Sequence, residues 1–284
     1  MANTEINLPN CPKGGTGVHR WMWACAFKLK DAGCPQAQAV HIIRSLMTRA
    51  ETSGDEVSSS VANAYHKKED PDEIRERWPR FDPLVQAQVV AGGPSLLQLR
   101  AFSPGSLDAS MDEVLLALFR PEELLCFGFG KNEFTTKTLQ EWLGDDRRVF
   151  VTPSPMRAKF GRTKQGRISQ HCEDNTGPRR FLVVEFDQGG TDTHAAVAWH
   201  LAEFAPLVLS VFSGGKSLHS WFNVAGWSEP EARKFFDYAV SLGGDRAMWR
   251  RFQFARAPQG WNPDKQARQT VQYFNPGAGL EAIQ

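Results

Sequence analysis

No two cysteines of this 284-residue chain stand in a C-x-x-C spacing, and the five present, Cys11, Cys25, Cys34, Cys126 and Cys172, are odd in number. A fully paired disulfide framework is therefore not expected. His171-Cys172 has no second pair at ligand spacing, so a zinc site is set aside. No apolar run approaches the ~20 residues that cross a bilayer, and the opening MANTEINLPNCPKGG lacks the apolar core of a signal peptide. The expectation is a soluble cytoplasmic protein without a membrane partner. Surplus charge of one sign is also missing: 33 Lys and Arg face 32 Asp and Glu. Net charge thus gives no whole-molecule argument for a polyanion partner, and any nucleic-acid contact must come from local patches. Internal repeats and low-complexity tracts are absent too. What is present is 41% hydrophobic residues over a length that suits one large or two moderate domains, each with a real core.

The first ~80 residues carry apolar side chains at helical spacing in three blocks. Val18, Trp21, Cys25 and Leu29 make one stripe, Val40, Ile43 and Met47 a second, and Val57, Val61, Ala64 and Tyr65 a third. Ser53-Gly54-Asp55-Glu56 reads as a capping box opening the third helix. The expected result is a small helical bundle over 1–80, with His66 to Arg80, broken by Pro71 and Pro79, as a linker. From 81 to 284 the pattern changes to short apolar runs alternating with amphipathic helices, an α+β domain. Strands are expected at Leu124 to Gly128, Arg148 to Thr152, Phe181 to Asp187, Leu207 to Phe212, Ser217 to Val224 and Thr270 to Phe274. One helix runs from about Asp192 with Val197, Leu201 and Phe204 on one face. Another follows the capping box Ser228-Glu229-Pro230-Glu231 and carries Ala232, Phe235, Phe236, Ala239 and Val240. The order from 181 is compatible with a ferredoxin-like or RNA-recognition-like antiparallel sheet.

Phe181-Leu182-Val183-Val184-Glu185-Phe186-Asp187 is a strand ending in two carboxylates. Residues i and i+2 of a strand share a face, so Glu185 and Asp187 project together. Two anions so placed repel unless a cation or a basic partner lies between them, and hard oxygen donors suit Mg²⁺ or Mn²⁺. A strand end meeting solvent is the plain alternative. Next, Ser213-Gly214-Gly215-Lys216-Ser217-Leu218-His219 supplies glycines for close approach and three donors, Lys216, Ser217 and His219, suited to phosphate oxygens. A P-loop is rejected, because Ser210 stands where the motif needs glycine and a strand follows the turn instead of a helix. On that strand Ser217 and His219 share a face; a glycine hairpin with a histidine satisfied in the core is the alternative. Asp245 follows Gly243-Gly244 in a turn, where aspartate is common. Arg250, Arg251, Arg256 and Arg268, interleaved with Trp249, Phe252, Phe254 and Trp261, form the densest basic-aromatic stretch, suited to phosphate contact and base stacking or else a solvated loop. Arg157 to Arg167, with Lys159, is a second basic segment that lines a template channel or faces solvent.

Taken in order, acid-x-acid ending a strand, a glycine turn into Ser-x-His, and a later aspartate followed by Arg256-Ala257-Pro258 resemble the archaeo-eukaryotic primase superfamily. Within it, the compact primase-polymerases of bacterial mobile elements are the most similar, over about residues 150 to 276. The resemblance implies a primase-type catalytic core around an RNA-recognition-like sheet. It implies a DNA-dependent nucleotidyltransferase, a primase or DNA polymerase, that replicates a plasmid, phage or other mobile element. Two Mg²⁺ or Mn²⁺ ions would be held by Glu185, Asp187 and Asp245. Ser217, His219, Lys216 and Arg256 would contact the nucleotide phosphates. Arg250, Arg251, Arg157 and Lys159 would contact a single-stranded DNA template, with NTP or dNTP as substrate and a separately encoded helicase as partner. Glu185 stands where aspartate is commoner, and Ala257-Pro258-Gln259-Gly260 where many relatives read Arg-Leu-Pro-Gly. The segment Asp55 to Tyr65 resembles helical modules attached to such primases, which assist template binding or initiation; an unrelated three-helix scaffold is the alternative.

Two other functions compete. One is a catalytically inactive nucleic-acid-binding replication protein on the same fold. The other is a rolling-circle endonuclease, which needs a His-hydrophobe-His site and a nucleophilic tyrosine. Here the triplet is Ser217-Leu218-His219, and Tyr65, Tyr238 and Tyr273 are the tyrosines available.

Overall fold

A computed structural model describes residues 8–13, 17–66, 78–130, 133–186 and 188–281, which fall into two units, 1–77 and 78–284. In the first, α1 (Val18–Asp31), α2 (Gln36–Leu46) and α3 (Glu56–His66) follow the apolar spacing. Val18, Trp21, Cys25 and Leu29 meet Ile43 and the α3 stripe Val57, Val61 and Ala64 in one buried cluster. On α2 the inward partner of Ile43 is Ala39, while Val40 and Met47 are only partly buried. The start of α3 differs from the capping box expected at Ser53. The Glu56 carboxylate accepts the Thr52 amide at 2.7 Å and a forked pair from Arg49, and Glu51 accepts the Val57 amide at 3.0 Å. Carboxylates held by arginine are stronger acceptors than a serine hydroxyl. The linker expected from His66 to Arg80 falls mostly on 67–77, outside the described residues.

The second unit opens with α4 (Pro83–Gly92), α5 (Leu96–Ala101) and α6 (Met111–Leu118), none of which was expected from periodicity. Caps make them: Asp82 accepts the Leu84 and Val85 amides, and Ser95/Gln98 and Ser110/Glu113 form reciprocal boxes. The apolar residues of α4 do not fall on one face and none is fully buried, which hides it from a periodicity reading. Then come β1 (Leu124–Gly128), β2 (Phe134–Thr138), α7 (Leu139–Trp142), β3 (Phe150–Val151) and the hairpin β4 (Gly161–Arg162) and β5 (Ile168–Ser169). β6 (Phe181–Glu185), α8 (Thr191–Leu201), β7 (Leu207–Phe212), β8 (Leu218–Asn223) and α9 (Glu229–Ser241) follow. A 3₁₀ turn (Arg246–Trp249), β9 (Ala255–Arg256), the hairpin β10 (Trp261–Asn262) and β11 (Ala267–Arg268), β12 (Val271–Phe274) and α10 (Pro276–Glu281) complete it.

Two four-stranded antiparallel sheets result, β2-β1-β3-β9 and β12-β7-β8-β6. In the second, β8 runs antiparallel between β6 and β7, so β6-α8-β7 is a split βαβ unit. A ferredoxin-like sheet would place the last strand beside the first; here β12 pairs with β7 and leaves β6 at the sheet edge. The connection between α5 and α6 flanks β12, with Gly105 donating to the Phe274 carbonyl at 2.8 Å and Ser103 accepting the Phe274 amide at 2.9 Å, and just past β12 Asn275 donates to the Val208 carbonyl of β7 at 2.8 Å. α9 is capped by Ser228 and Glu231 and buries Ala232, Phe235, Phe236 and Ala239. α8 buries Val197 and Leu201 but stops at Leu201. Phe204, expected on the same face, lies past the helix end at 54% exposure, edge-on to Tyr238.

Arg180, just before β6, forks onto Glu123, just before β1, and ties the two sheets at their starts; the side chains are 14% and 17% exposed. Burial alone would raise the Glu123 pKa, but the Arg180 fork and the Arg120 amide outweigh it and hold the carboxyl below its ordinary value. Glu123→Gln should cost about 1–3 kcal/mol in urea denaturation at neutral pH. Because the folded pKa is depressed, that difference is fully present above the unfolded value near ~4.3 and vanishes as pH falls through the folded one.

Candidate active site

Phe181 to Val184 are each 1% exposed, so β6 is buried on both faces until Glu185, its last residue, whose side chain is 23% exposed. The ladder with β8 places Glu185 opposite His219. His219 Nε2 lies 3.3 Å from Glu185 Oε1 with the imidazole 4% exposed, and Nδ1 has no hydrogen-bond partner among the described residues. The 3.3 Å approach is an electrostatic contact without the alignment of a full hydrogen bond. The Ser217 hydroxyl is 3.2 Å from both Glu185 Oε1 and Ser213 Oγ. Its single proton is shared between the Glu185 carboxylate and Ser213 Oγ, which also accepts the Ser217 amide at 3.2 Å. Burial pushes the Glu185 pKa up, but His219, the Ser217 hydrogen bond and the Arg256 charge overcome it and hold the carboxylate low.

The turn that carries Asp245 closes over the end of β6. Asp245 donates its amide to the Glu185 carbonyl at 2.7 Å, and Gly244 bridges Phe186. Residues opposite each other in an antiparallel ladder share a face, which sets Asp245 on the face of Glu185. Gly244 has no room for a side chain: a Cβ would lie 2.9 Å from the Ala239 carbonyl oxygen and 3.2 Å from Val184. The Asp245 carboxylate accepts the Ala247 amide at 2.9 Å and caps the 3₁₀ turn. Asp187, the second acid of the expected pair, lies outside the described residues. Among the described residues no three His, Cys, Asp or Glu side chains converge as a metal-holding group. Glu185 and Asp245 put carboxylate oxygens at one strand end, and a hard cation there would need further ligands.

Beneath this end sits His194, which the sequence reading passed over. On the first turn of α8, with 0% exposure, its Nε2 donates to the Gln188 carbonyl at 2.9 Å and its ring stacks on Phe186 at 5.0 Å. The carbonyl acceptor requires the proton on Nε2. Burial lowers its pKa. A lone histidine four residues past Gly189-Gly190 carries no periodic signal, and only the fold shows that it props the loop after β6.

The remaining basic residues spread differently. Lys216 is exposed on the turn before β8. Arg256 leans on Phe150 at 4.6 Å, donates to Gln269 at 3.2 Å and acts on Glu185 electrostatically. Arg251 donates to the Gly177 carbonyl at 3.4 Å, and Arg250 is exposed. Arg157 pairs with Asp174 at 3.0 Å and Lys159 with Glu141 at 3.8 Å, both on the β4–β5 segment. A cleft of about 630 Å³ opens beside Asp245, lined by Trp78, Phe81, Gln86, Gln188 and Gly189 among others. A larger one, about 770 Å³, is lined by Asp108, Asp112, Arg148 and Trp261 and holds none of the site residues named above.

No family model matches this chain, and no curated protein does. Among solved structures, the AEP domain of the Cyanophage S-2L primase-polymerase is similar at a TM-score of 0.40 and 14% identity, over 62% of this chain and 98% of that one.

Gly243 has φ +99°, and a Cβ there would meet Gln86 at 3.1 Å and Phe81 at 3.4 Å. Gly243→Ala should therefore lower stability by about 1–2 kcal/mol in chemical denaturation. Stability equal to wild type would show that the Asp245 turn does not need this backbone shape.

Proposed function

We propose that the chain is a nucleotidyltransferase of primase or DNA polymerase type that extends on a single-stranded DNA template, with Glu185, Asp187 and Asp245 holding two divalent ions. The observation that carries this reading is the convergence of Glu185, Ser217, His219 and the Asp245 turn at one end of β6. Those residues are far apart in sequence, and a largely buried carboxylate kept ionised by its neighbours is the kind of group that marks a functional site. Mg²⁺ or Mn²⁺ bound there would neutralise the attacking and leaving oxygens of nucleotidyl transfer. The protein's own part is positioning. Glu185 is kept ionised by its neighbours and needs no proton loss before binding a cation. His219, oriented by Glu185 and 4% exposed, offers its ring as a donor to a phosphate oxygen and is not used as a base. Ser217, Lys216 and Arg256 supply further phosphate contacts, and Arg250, Arg251, Arg157 and Lys159 contact the template. No covalent intermediate is formed.

The tyrosines argue against an endonuclease. Tyr65 donates to the Cys34 carbonyl at 2.7 Å, Tyr238 shares a 2.8 Å hydrogen bond with His200, and Tyr273 is 5% exposed on β12. None is offered to a phosphodiester.

Labelled dNTP or NTP incorporation on a primed and an unprimed single strand with Mn²⁺ tests the reading. Wild type should incorporate; Glu185→Gln and Asp187→Asn should each lose about 100-fold or more, and chelation should abolish activity. His219→Ala should chiefly raise KM for the nucleotide. Wild-type DNA binding without incorporation would overturn the enzyme reading, and a covalent tyrosine adduct would replace it with strand cleavage.

A further inference from the structure

From Arg147 to Cys172 the chain holds seven lysines and arginines and no aspartate or glutamate. Five of them, Arg157, Lys159, Arg162, Lys164 and Arg167, are exposed on the β4–β5 hairpin and its approach, and Lys164 and Arg167 make no ion pair among the described residues. Phe160 is 58% exposed and Ile168 62% exposed on the same segment. Like charges crowded at one tip repel, and an exposed aromatic among them gains nothing from the core.

The base of the hairpin is nevertheless firmly fixed. Asn175, 1% exposed, uses its whole amide: Nδ2 donates to Ala158 and Gln170 carbonyls at 3.2 and 2.9 Å, and Oδ1 accepts the Cys172 amide at 3.0 Å and thiol at 3.2 Å. Asp174 accepts the Arg162 amide at 2.9 Å, and Gln170 accepts the Thr136 amide of β2 at 2.8 Å. Gly161 lies so close that a Cβ would stand 2.8 Å from Asn175. Ordering a segment costs about 1–2 kcal/mol per residue, and here it supports a surface that covers no core. The hairpin is also joined to the candidate site. His171, at its end, stacks on Phe254 at 3.9 Å and 9°, and Phe254 immediately precedes β9 and Arg256.

We propose that the β4–β5 hairpin is a grip for single-stranded nucleic acid, with Arg162, Lys164 and Arg167 on successive phosphates and Phe160 stacking a base. Cationic side chains interleaved with an exposed ring are the chemistry that holds an unpaired strand without reading its sequence. The proposal deepens the nucleotidyl-transfer reading by naming the template-holding element of that site, yet strand binding is measurable without catalysis.

The test is anisotropy of a labelled oligothymidylate of about 20 nucleotides, titrated with full-length protein over a range of salt. Arg162→Ala/Lys164→Ala/Arg167→Ala should lower the slope of log affinity against log salt by about 2 and the affinity by on the order of 100-fold near 0.1 M salt. Arg162→Lys/Arg167→Lys should keep the wild-type slope, which separates lost charge from misfolding. Phe160→Ala should weaken binding about ten-fold with the slope unchanged. An unchanged slope and affinity in the triple alanine variant, or no binding by wild type, overturns the proposal. If wild type extends primers and the triple variant does so equally at every template concentration, the grip fails and the enzyme reading stands. Hairpin-dependent binding with no extension leaves the grip standing and removes the enzyme.

Discussion

The hydrogen bond from the Asp245 amide to the Glu185 carbonyl is the contact on which the rest of the site depends. It joins the last residue of β6 to a turn some sixty positions later in the chain. Removal would free Gly244 from its bridge to Phe186 and detach Asp245 from the face of Glu185. The closeness is enforced by sterics, since a Cβ on Gly244 would press on the Ala239 carbonyl oxygen and on Val184. Burial reinforces it: Phe186 and Val184 are 1% exposed, so the strand cannot slide to open a gap.

Placing β12 beside β7 has a consequence for that end of the sheet. β7 becomes an interior strand, while β6 keeps one edge without a neighbouring strand. Unpaired strand edges are normally covered or charged. In this chain the cover is the Gly244-Asp245 turn, and the charge is Glu185, steadied by His219 and Ser217 across the ladder. His194 supports the same end from below through Gln188 and Phe186. The edge is thus protected by polar groups that are held in place, which is also what binding a cation and a phosphate requires. Arg256 brings positive charge toward the acidic strand end, and Phe254, two residues before it, stacks on His171 at the end of the β4–β5 hairpin.

Much of this was legible in the residues. Strands with unbroken apolar runs, such as Leu124–Gly128 and Leu207–Phe212, stand where periodicity places them, and the Ser228 box opens α9 as read. Period two put Ser217 and His219 on one face, and β8 lies beside β6 as that face requires for contact with Glu185. What was not read falls into two physical kinds. Of the short helices made by caps, α4 has no one-sided apolar pattern and α5 is only six residues long, whereas α6 carries Met111, Val114, Leu115 and Leu118 at helical spacing behind the Ser110/Glu113 box, a signal that was present and passed over. Long-range pairings, such as β12 with β7 or Asp245 with Glu185, depend on contacts between segments that no local pattern encodes. The role of His194 belongs to the second kind, and so does the bracing of the basic hairpin by Asn175, because each is defined by partners brought in by the fold.

Anomalous diffraction from crystals grown with Mn²⁺ and a non-hydrolysable nucleoside triphosphate tests the central claim most directly. The account predicts manganese peaks bound by the Glu185 and Asp245 carboxylates, with Asp187 completing the set and a triphosphate oxygen within hydrogen-bond reach of His219. Manganese and nucleotide bound elsewhere, or Glu185 still tied only to His219 and Ser217 at saturating Mn²⁺, would contradict it.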